Sequence, residues 1–325
     1  GYTHYGLMNE VLDLFTAMME GNIRLSEVDF LCILKTCASV YNLRLGRLFH
    51  DHVIKSGFES DANIGCVLVD IYAKCKSLEE AQKMFDILDD NLNEVSWSVM
   101  IAGYVLNGNS HSALELFEKA RGLGIVVNKG IILGVLRACS NIGVVQSGRW
   151  IHDQIVRNGC ELRLEIGSTI LDMYGKCGMQ REAVKIFNDL SRKDVVAWGA
   201  LVAAYSLTGH GKLAIDAFKD MHLHGVKPDE VFFTNVLSAC SQGGLLEEGL
   251  FYLKSLLQDY DITPNIEQYS CMIDLFGRSG HLFEAEDILQ TSPVLPDKVS
   301  WLSLLTSCRT YGNTHKGHTY YSEIT

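Results

Sequence analysis

The chain has 325 residues, 47% of them hydrophobic and only four of them proline, and a net charge of −11. That hydrophobic content suffices for a fully folded chain. The acidic balance argues against indiscriminate nucleic-acid binding, which rests on neutralising phosphates, so any nucleic-acid contact must come from local placement of basic residues. The longest apolar stretch, around residues 130–136, falls far short of the ~18–20 residues that span a bilayer, so no membrane partner is expected. No charged-then-apolar leader opens the sequence, and any targeting segment is expected to lie outside this stretch.

Length alone suggests about two domains, but an internal repeat overrides that reading. Gly108, Gly143, Gly178, Gly209, Gly244 and Gly280 are separated by 35, 35, 31, 35 and 36 residues. A period in the thirties marks stacked supersecondary units, each burying its apolar face against its neighbours. A longer period lies over it. Trp97, Trp198 and Trp301 stand 101 and 103 apart, and Cys37, Cys139 and Cys240 stand 102 and 101 apart.

Each unit reads as two amphipathic helices. Trp97, Ile101 and Tyr104 share one helical face, and Gly108 supplies the left-handed residue that ends the helix. A second helix from about Ser112 carries Ala113 and Phe117. Ala113 has equivalents in Ala81, Ala183, Ala214 and Ala285, and Phe117 in Phe85, Phe187 and Phe218.

In chain order, the units are a truncated Trp-type copy at 1–26, a second type at 27–61 and a short third type at 62–93. The cycle repeats at 94–128, 129–163 and 164–194, and again at 195–229, 230–265 and 266–297. The second type replaces the small alanine by Gly46, Gly148 and Gly249; a partial unit at 298–325 starts like the Trp type and carries Gly317. The expected fold is an all-α, right-handed α-solenoid of helix-turn-helix repeats.

Ten cysteines show no CxxC spacing, and Cys37, Cys139 and Cys240 recur inside apolar helical segments. They read as buried free thiols in a reducing compartment, with neither metal nor disulfide. Catalysis finds no support. A zinc deaminase needs His-x-Glu and Pro-Cys-x-x-Cys; no histidine here has glutamate two residues on, and no proline precedes a cysteine. His50 and His152 occupy equivalent slots and read as packing residues, while Gly209-His210-Gly211-Lys212 fits a helix–helix turn. No cofactor is expected.

The strings "LVDIYAKC", "ILDMYGKCG", "EVSWSVMIAGY", "DVVAWGALVAAYSLTGHGKLAIDAFKDMHLHGVKPD" and "NVLSACSQGGLLEEG" resemble plant pentatricopeptide repeat proteins of the P-L-S subclass. The last unit is similar to the extension motif of that subclass. The related tetratricopeptide repeat wants a small glycine four residues after its Trp, where this chain has Ile101, Val202 and Leu305.

The resemblance implies recognition of single-stranded RNA at about one base per repeat. It places a reading pair at a residue early in the first helix and at the last residue of the repeat. The polar pairs are Ser98/Asn128, Ser168/Asp194, Thr234/Asn265 and Ser270/Asp297, with Gly199/Asp229 lacking its first partner. A hydroxyl with an amide matches an adenine edge; a hydroxyl with an ionised carboxylate, which only accepts, suits the N–H donors of guanine. By the family's code the four pairs imply A, G, A and G. The same residue types serve as helix caps and turn residues, and both readings stand.

Leu31/Asp61 and Leu133/Arg163 offer an apolar first partner and do not fit the simple code; Cys66/Asn93 leaves its assignment open. Val95 and Val196 are placed either to wedge against base faces or simply to pack. Lys74, Lys176 and Arg278 stand 102 residues apart at the ends of first helices, suited either to RNA phosphates or to helix C-termini.

The resemblance further implies C-to-U editing of transcripts in a mitochondrion or chloroplast, with the chemistry supplied by a deaminase-bearing or other editing-factor protein and not by this chain. A splicing or stability factor remains an alternative. So does a protein-interaction scaffold, which the charge and the apolar Leu31, Leu133 and Leu302 would suit.

Overall fold

A computed structural model describes residue 15 and residues 25–88, 91–157 and 164–324. Most of the truncated unit at 1–26, and Arg163, lie outside the described residues. Among the described residues there are eighteen helices and no strand. The first five are α1 (Glu27–Val40), α2 (Leu43–Lys55), α3 (Ala62–Lys74), α4 (Leu78–Leu88) and α5 (Glu94–Leu106). Next come α6 (Ser110–Gly122), α7 (Lys129–Ile142), α8 (Gln146–Arg157), α9 (Leu164–Lys176), α10 (Gln180–Asp189) and α11 (Val195–Leu207). The chain continues with α12 (Gly211–Leu223), α13 (Glu230–Gly243), α14 (Leu246–Gln258), α15 (Ile266–Arg278), α16 (Leu282–Thr291), α17 (Lys298–Thr310) and α18 (Thr314–Ile324).

The chain divides into two compact units, Gly1–Asp153 and Gln154–Thr325. In the first, α1, α3, α5 and α7 pack in succession, each on the next. Helices α2, α4 and α6 each pack on the helix before and the helix after. In the second unit α9, α11, α13, α15 and α17 form the same succession, and α10, α12, α14 and α16 fill the same role behind it. Each unit is thus a solenoid segment in which first helices stack on first helices.

Side-chain size explains the stacking. Ala81, Ala113, Ala183, Ala214 and Ala285 are fully buried, and Phe85, Phe117, Phe187 and Phe218 lie one turn on as buried knobs. Where the following first helix carries a Trp, it meets that knob: Phe85 and Trp97 rings are 5.2 Å apart, Phe187 and Trp198 4.6 Å. Truncating a buried ring of this kind to alanine costs about 3–5 kcal/mol. Where glycine replaces the alanine, the approach is closer still. A Cβ on Gly46 would stand 2.6 Å from Ile71 Cγ2. Cys37, Cys139 and Cys240 are fully buried in this seam.

The periodic glycines all lie in the left-handed region, with φ between 65° and 82°. At Gly108 two hydrogen bonds, Gly108 N–H to Val105 O and Asn109 N–H to Tyr104 O, close the helix end in the Schellman pattern. At Lys76, φ 61°, the same pair recurs: Lys76 N–H to Ala73 O and Ser77 N–H to Tyr72 O. A non-glycine residue there costs about 1 kcal/mol or more.

Candidate nucleic-acid interface

At 3.6 residues per turn, the second, fifth, ninth and thirteenth residues of a first helix fall within an arc of about 80°. On each first helix one stripe therefore carries the candidate residues of that helix, and the last residue of the preceding repeat stands apart from it at the helix start. The second position holds Val28, Val95, Val196, Val231 and Val299, which are 47% to 68% exposed despite being apolar. Val95 and Val196 do not pack into the core; Val28, Val231 and Val299 belong to the same row and were legible only by carrying the repeat register to every copy.

The last residue of each repeat is an N-cap wherever it is among the described residues. Asp61, Asn93, Asn128, Asp194, Asp229, Asn265 and Asp297 each accept a backbone N–H from the first turn of the following helix. The capping role is thus realised at every described copy, whatever else the residue contacts.

The pairs differ in how the structure brings them together. A Cβ on Gly130 would lie 2.6 Å from Ser98 Oγ and 3.3 Å from Asn128 Oδ1, so both oxygens converge over the same bare backbone. Asn128 also donates from Nδ2 to Glu94 O at 3.0 Å. Ser270 Oγ stands 3.3 Å from Asp297 Oδ1 in direct hydrogen bond. Thr234 and Asn265 are bridged by Gln268, whose Nε2 donates to Thr234 Oγ1 and whose backbone N–H donates to Asn265 Oδ1. Asn265 Nδ2 further donates to Glu230.

Ser168 and Asp194 share no hydrogen bond. Ser168 is 4% exposed and its hydroxyl has no partner, while Asp194 Oδ1 accepts from Ala197 N–H at 2.9 Å. Gly199 is buried beneath Asn235, whose Nδ2 donates to Gly199 O at 3.3 Å; Asp229 caps α13 at 2.8 Å. Cys66 turns its thiol to Ser96 Oγ at 3.1 Å, and Ser96 in turn completes the capping box with Asn93. Leu31 and Leu133 are half-buried.

The three periodic cations are not free. Lys74 pairs with Asp70 at 2.6 Å, Lys176 with Asp172 at 3.0 Å and Arg278 with Asp274 at 2.7 Å, each one turn back along its own helix. All three also end their helices, where a positive charge meets the negative end of the dipole. Burial works against ionisation of Asp297, but hydrogen bonds from Ser300 N–H, Ser300 Oγ and Ser270 Oγ outweigh it and hold the carboxyl below its ordinary range.

Among the described residues no group of three or more His, Cys, Asp and Glu could hold a metal, and no helix is long and apolar enough to cross a membrane. His50 Nδ1 bonds to Tyr72 OH at 2.7 Å between α2 and α3, a packing contact.

Stacked helix pairs, each closed by a capping residue that starts the next pair, define a helical-repeat protein. The PPR repeat model matches residues 66–91, 95–125, 168–195, 231–259 and 269–291, and the pentatricopeptide repeat domain model matches 185–243. Pentatricopeptide repeat-containing protein At2g33680 of Arabidopsis thaliana is 33% identical over 98% of this chain and 44% of its own length. At1g08070, chloroplastic, of the same plant is 35% identical over 93% of this chain and 41% of its own. This chain therefore spans less than half the length of these relatives. The crystal structure of the pentatricopeptide repeat protein PPR10 in complex with an 18-nt psaJ RNA element superposes with a TM-score of 0.76. It does so at 16% identity, covering 98% of this chain and 47% of that one. The chain belongs to the pentatricopeptide repeat family.

Proposed function

We propose that this chain binds single-stranded RNA in a sequence-specific way, one base for each repeat that carries a polar pair. The observation that carries this reading is the stripe itself. Exposed valines alternate along it with oxygen-bearing pairs, and in two copies, Ser98/Asn128 and Ser270/Asp297, the paired oxygens lie side by side. An apolar wall beside hydrogen-bonding edges suits an unstacked base. The fold likeness to a protein crystallised with RNA supports the same reading. Val95 and Val196 would lie against base faces. Lys74, Lys176 and Arg278 would meet phosphates only in part, since each must first give up its aspartate.

The finer reading is that the repeats are of the P-L-S subclass, closed by a partial extension motif. The chain then selects the site of C-to-U editing in a plant organellar transcript, and a separate deaminase-bearing protein or domain performs the chemistry. The chloroplastic label on one relative is consistent with an organelle.

The test is selection from a random RNA pool. The pairs at repeats 94–128, 164–194, 230–265 and 266–297 should enrich A, G, A and G at the first, third, fifth and sixth positions of one motif. Enrichment without that spacing would sink the reading, and binding that ignores salt would favour a protein scaffold instead.

A further inference from the structure

The stripe has a slot that the pairs leave unused, one turn beyond the first reading residue. In the second-type repeats it holds Lys35 on α1, Arg137 on α7 and Ser238 on α13. Lys35 and Arg137 are exposed, 102 residues apart, and make no ion pair or side-chain hydrogen bond among the described residues. Arg137 is the one exposed residue between Gly134 and Ser140. This sets them apart from Lys74, Lys176 and Arg278, whose charges are each answered by an aspartate one turn away.

The two slots of these helices vary together. Where the first residue is apolar, Leu31 or Leu133, the residue one turn on is a free cation. Where the first is Thr234, the residue one turn on is neutral Ser238, already bonded to Ser206 Oγ at 3.2 Å. A repeat with an apolar first slot lacks the side-chain polar group that completes a reading pair. It does have an unshared positive charge on the same face, and that charge is matched by phosphate.

The stripe of the neighbouring α5 carries no carboxylate to compete for Arg137: its residues there are Val95, Ser98, Ala102 and Leu106. On α3, beside α1, the carboxylate of Asp70 is held by Lys74.

We infer that Lys35 and Arg137 are phosphate-binding residues for a single RNA strand, and that the repeats bearing them hold the backbone instead of reading a base. The inference rests on the RNA-binding reading above. It also places the strand's charge neutralisation at two points of an otherwise acidic chain.

The experiment compares Lys35→Gln/Arg137→Gln with Lys74→Gln/Lys176→Gln/Arg278→Gln. Both are titrated across a KCl series with a random-sequence single-stranded RNA and with an RNA selected by the wild type. In the first variant the log–log salt slope should flatten by about 1.4, at ~0.7 for each lost single-strand contact. Affinity for both RNAs should fall by a similar factor, with the wild-type base preference retained. Lys35→Arg/Arg137→Lys should restore the slope. Because both side chains are exposed, circular dichroism and thermal midpoint should not move. The triple variant should flatten the slope less. A double variant with the wild-type slope, or a triple variant with the larger change, overturns the assignment while leaving RNA binding intact. A wild type without salt-dependent RNA binding overturns the reading on which it stands.

Discussion

Asp194 and Asp297 close two short repeats and cap the next first helix through the same oxygen at the same 2.9 Å, yet their surroundings differ. At Asp297 the fully buried Ser300 donates its hydroxyl to Oδ1 at 2.8 Å, and Ser270 Oγ lies 2.8 Å from Ser300 Oγ. The pair is closed on itself. At Asp194 the residue in Ser300's place is Ala197, no hydroxyl intervenes, and the buried Ser168 Oγ is left without a partner. An unpartnered buried hydroxyl costs about 1–3 kcal/mol, a cost that a ligand can recover. The third residue of the following helix therefore decides whether a reading pair is already satisfied or still open.

The largest effect should come from removing the closed carboxylate. Asp297→Ala deletes the cap and removes a shared carboxylate acceptor from the buried Ser270 and Ser300 hydroxyls, and should destabilise by about 2 kcal/mol; Asp194→Ala, losing a cap alone, by about 1 kcal/mol. Urea unfolding of both variants measures this, and equal losses would mean that the Ser270–Ser300 network adds nothing.

Next comes base choice. Asp194→Asn supplies a donor where guanine offers donors and adenine a bare nitrogen, so the preference at that position should move from G towards A by about tenfold, or 1.4 kcal/mol. Asp297→Asn should move its own position less, because its oxygen is already engaged. Equal affinities for two RNAs differing only at that base, in wild type and variant alike, would leave Asp194 as a cap and nothing more.

A smaller effect is expected from exchanging the third residue. Ala197→Ser should blunt discrimination at its repeat, and Ser300→Ala should sharpen it, each by about threefold, on the order of 0.6 kcal/mol. Parallel titrations with G- and A-bearing RNAs read this out; changes of the same sign in both variants would break the comparison.

The smallest effect is on acid stability. The folded carboxyl of Asp297 titrates below its unfolded value, so its contribution is fully present above about pH 5 and is lost as pH falls through the folded pKa. The stability gap between wild type and Asp297→Asn should hold steady from neutrality to about pH 5 and shrink below it. A gap that widens on acidification would contradict the assignment.

The helix pairs were legible because the signal is local: glycine, a small residue and a large one recur at fixed offsets. Where the left-handed residue is not glycine, as at Tyr41 and Lys76, the beat falls silent although the helix ends in the same way. The aspartates that bind Lys74, Lys176 and Arg278 were also readable, since opposite charges four apart face each other on a helix. The missing partner of the Ser168 hydroxyl was not, because it depends on Ala197, a residue 29 positions away whose effect is what it lacks.

The thiols buried in the first-helix seam have a consequence for handling the protein. Burial pushes Cys37 and Cys240 to about 12, so at pH 8 only on the order of one in ten thousand would be thiolate, the form that reacts. Exposed Cys32, on the same helix as Cys37, meets reagent at once. Alkylation at Cys37, in the first unit, and at Cys240, in the second, then waits until the surrounding pair opens. The chain thus carries its own timers along its length, and the order in which they are spent maps where the stack comes apart first.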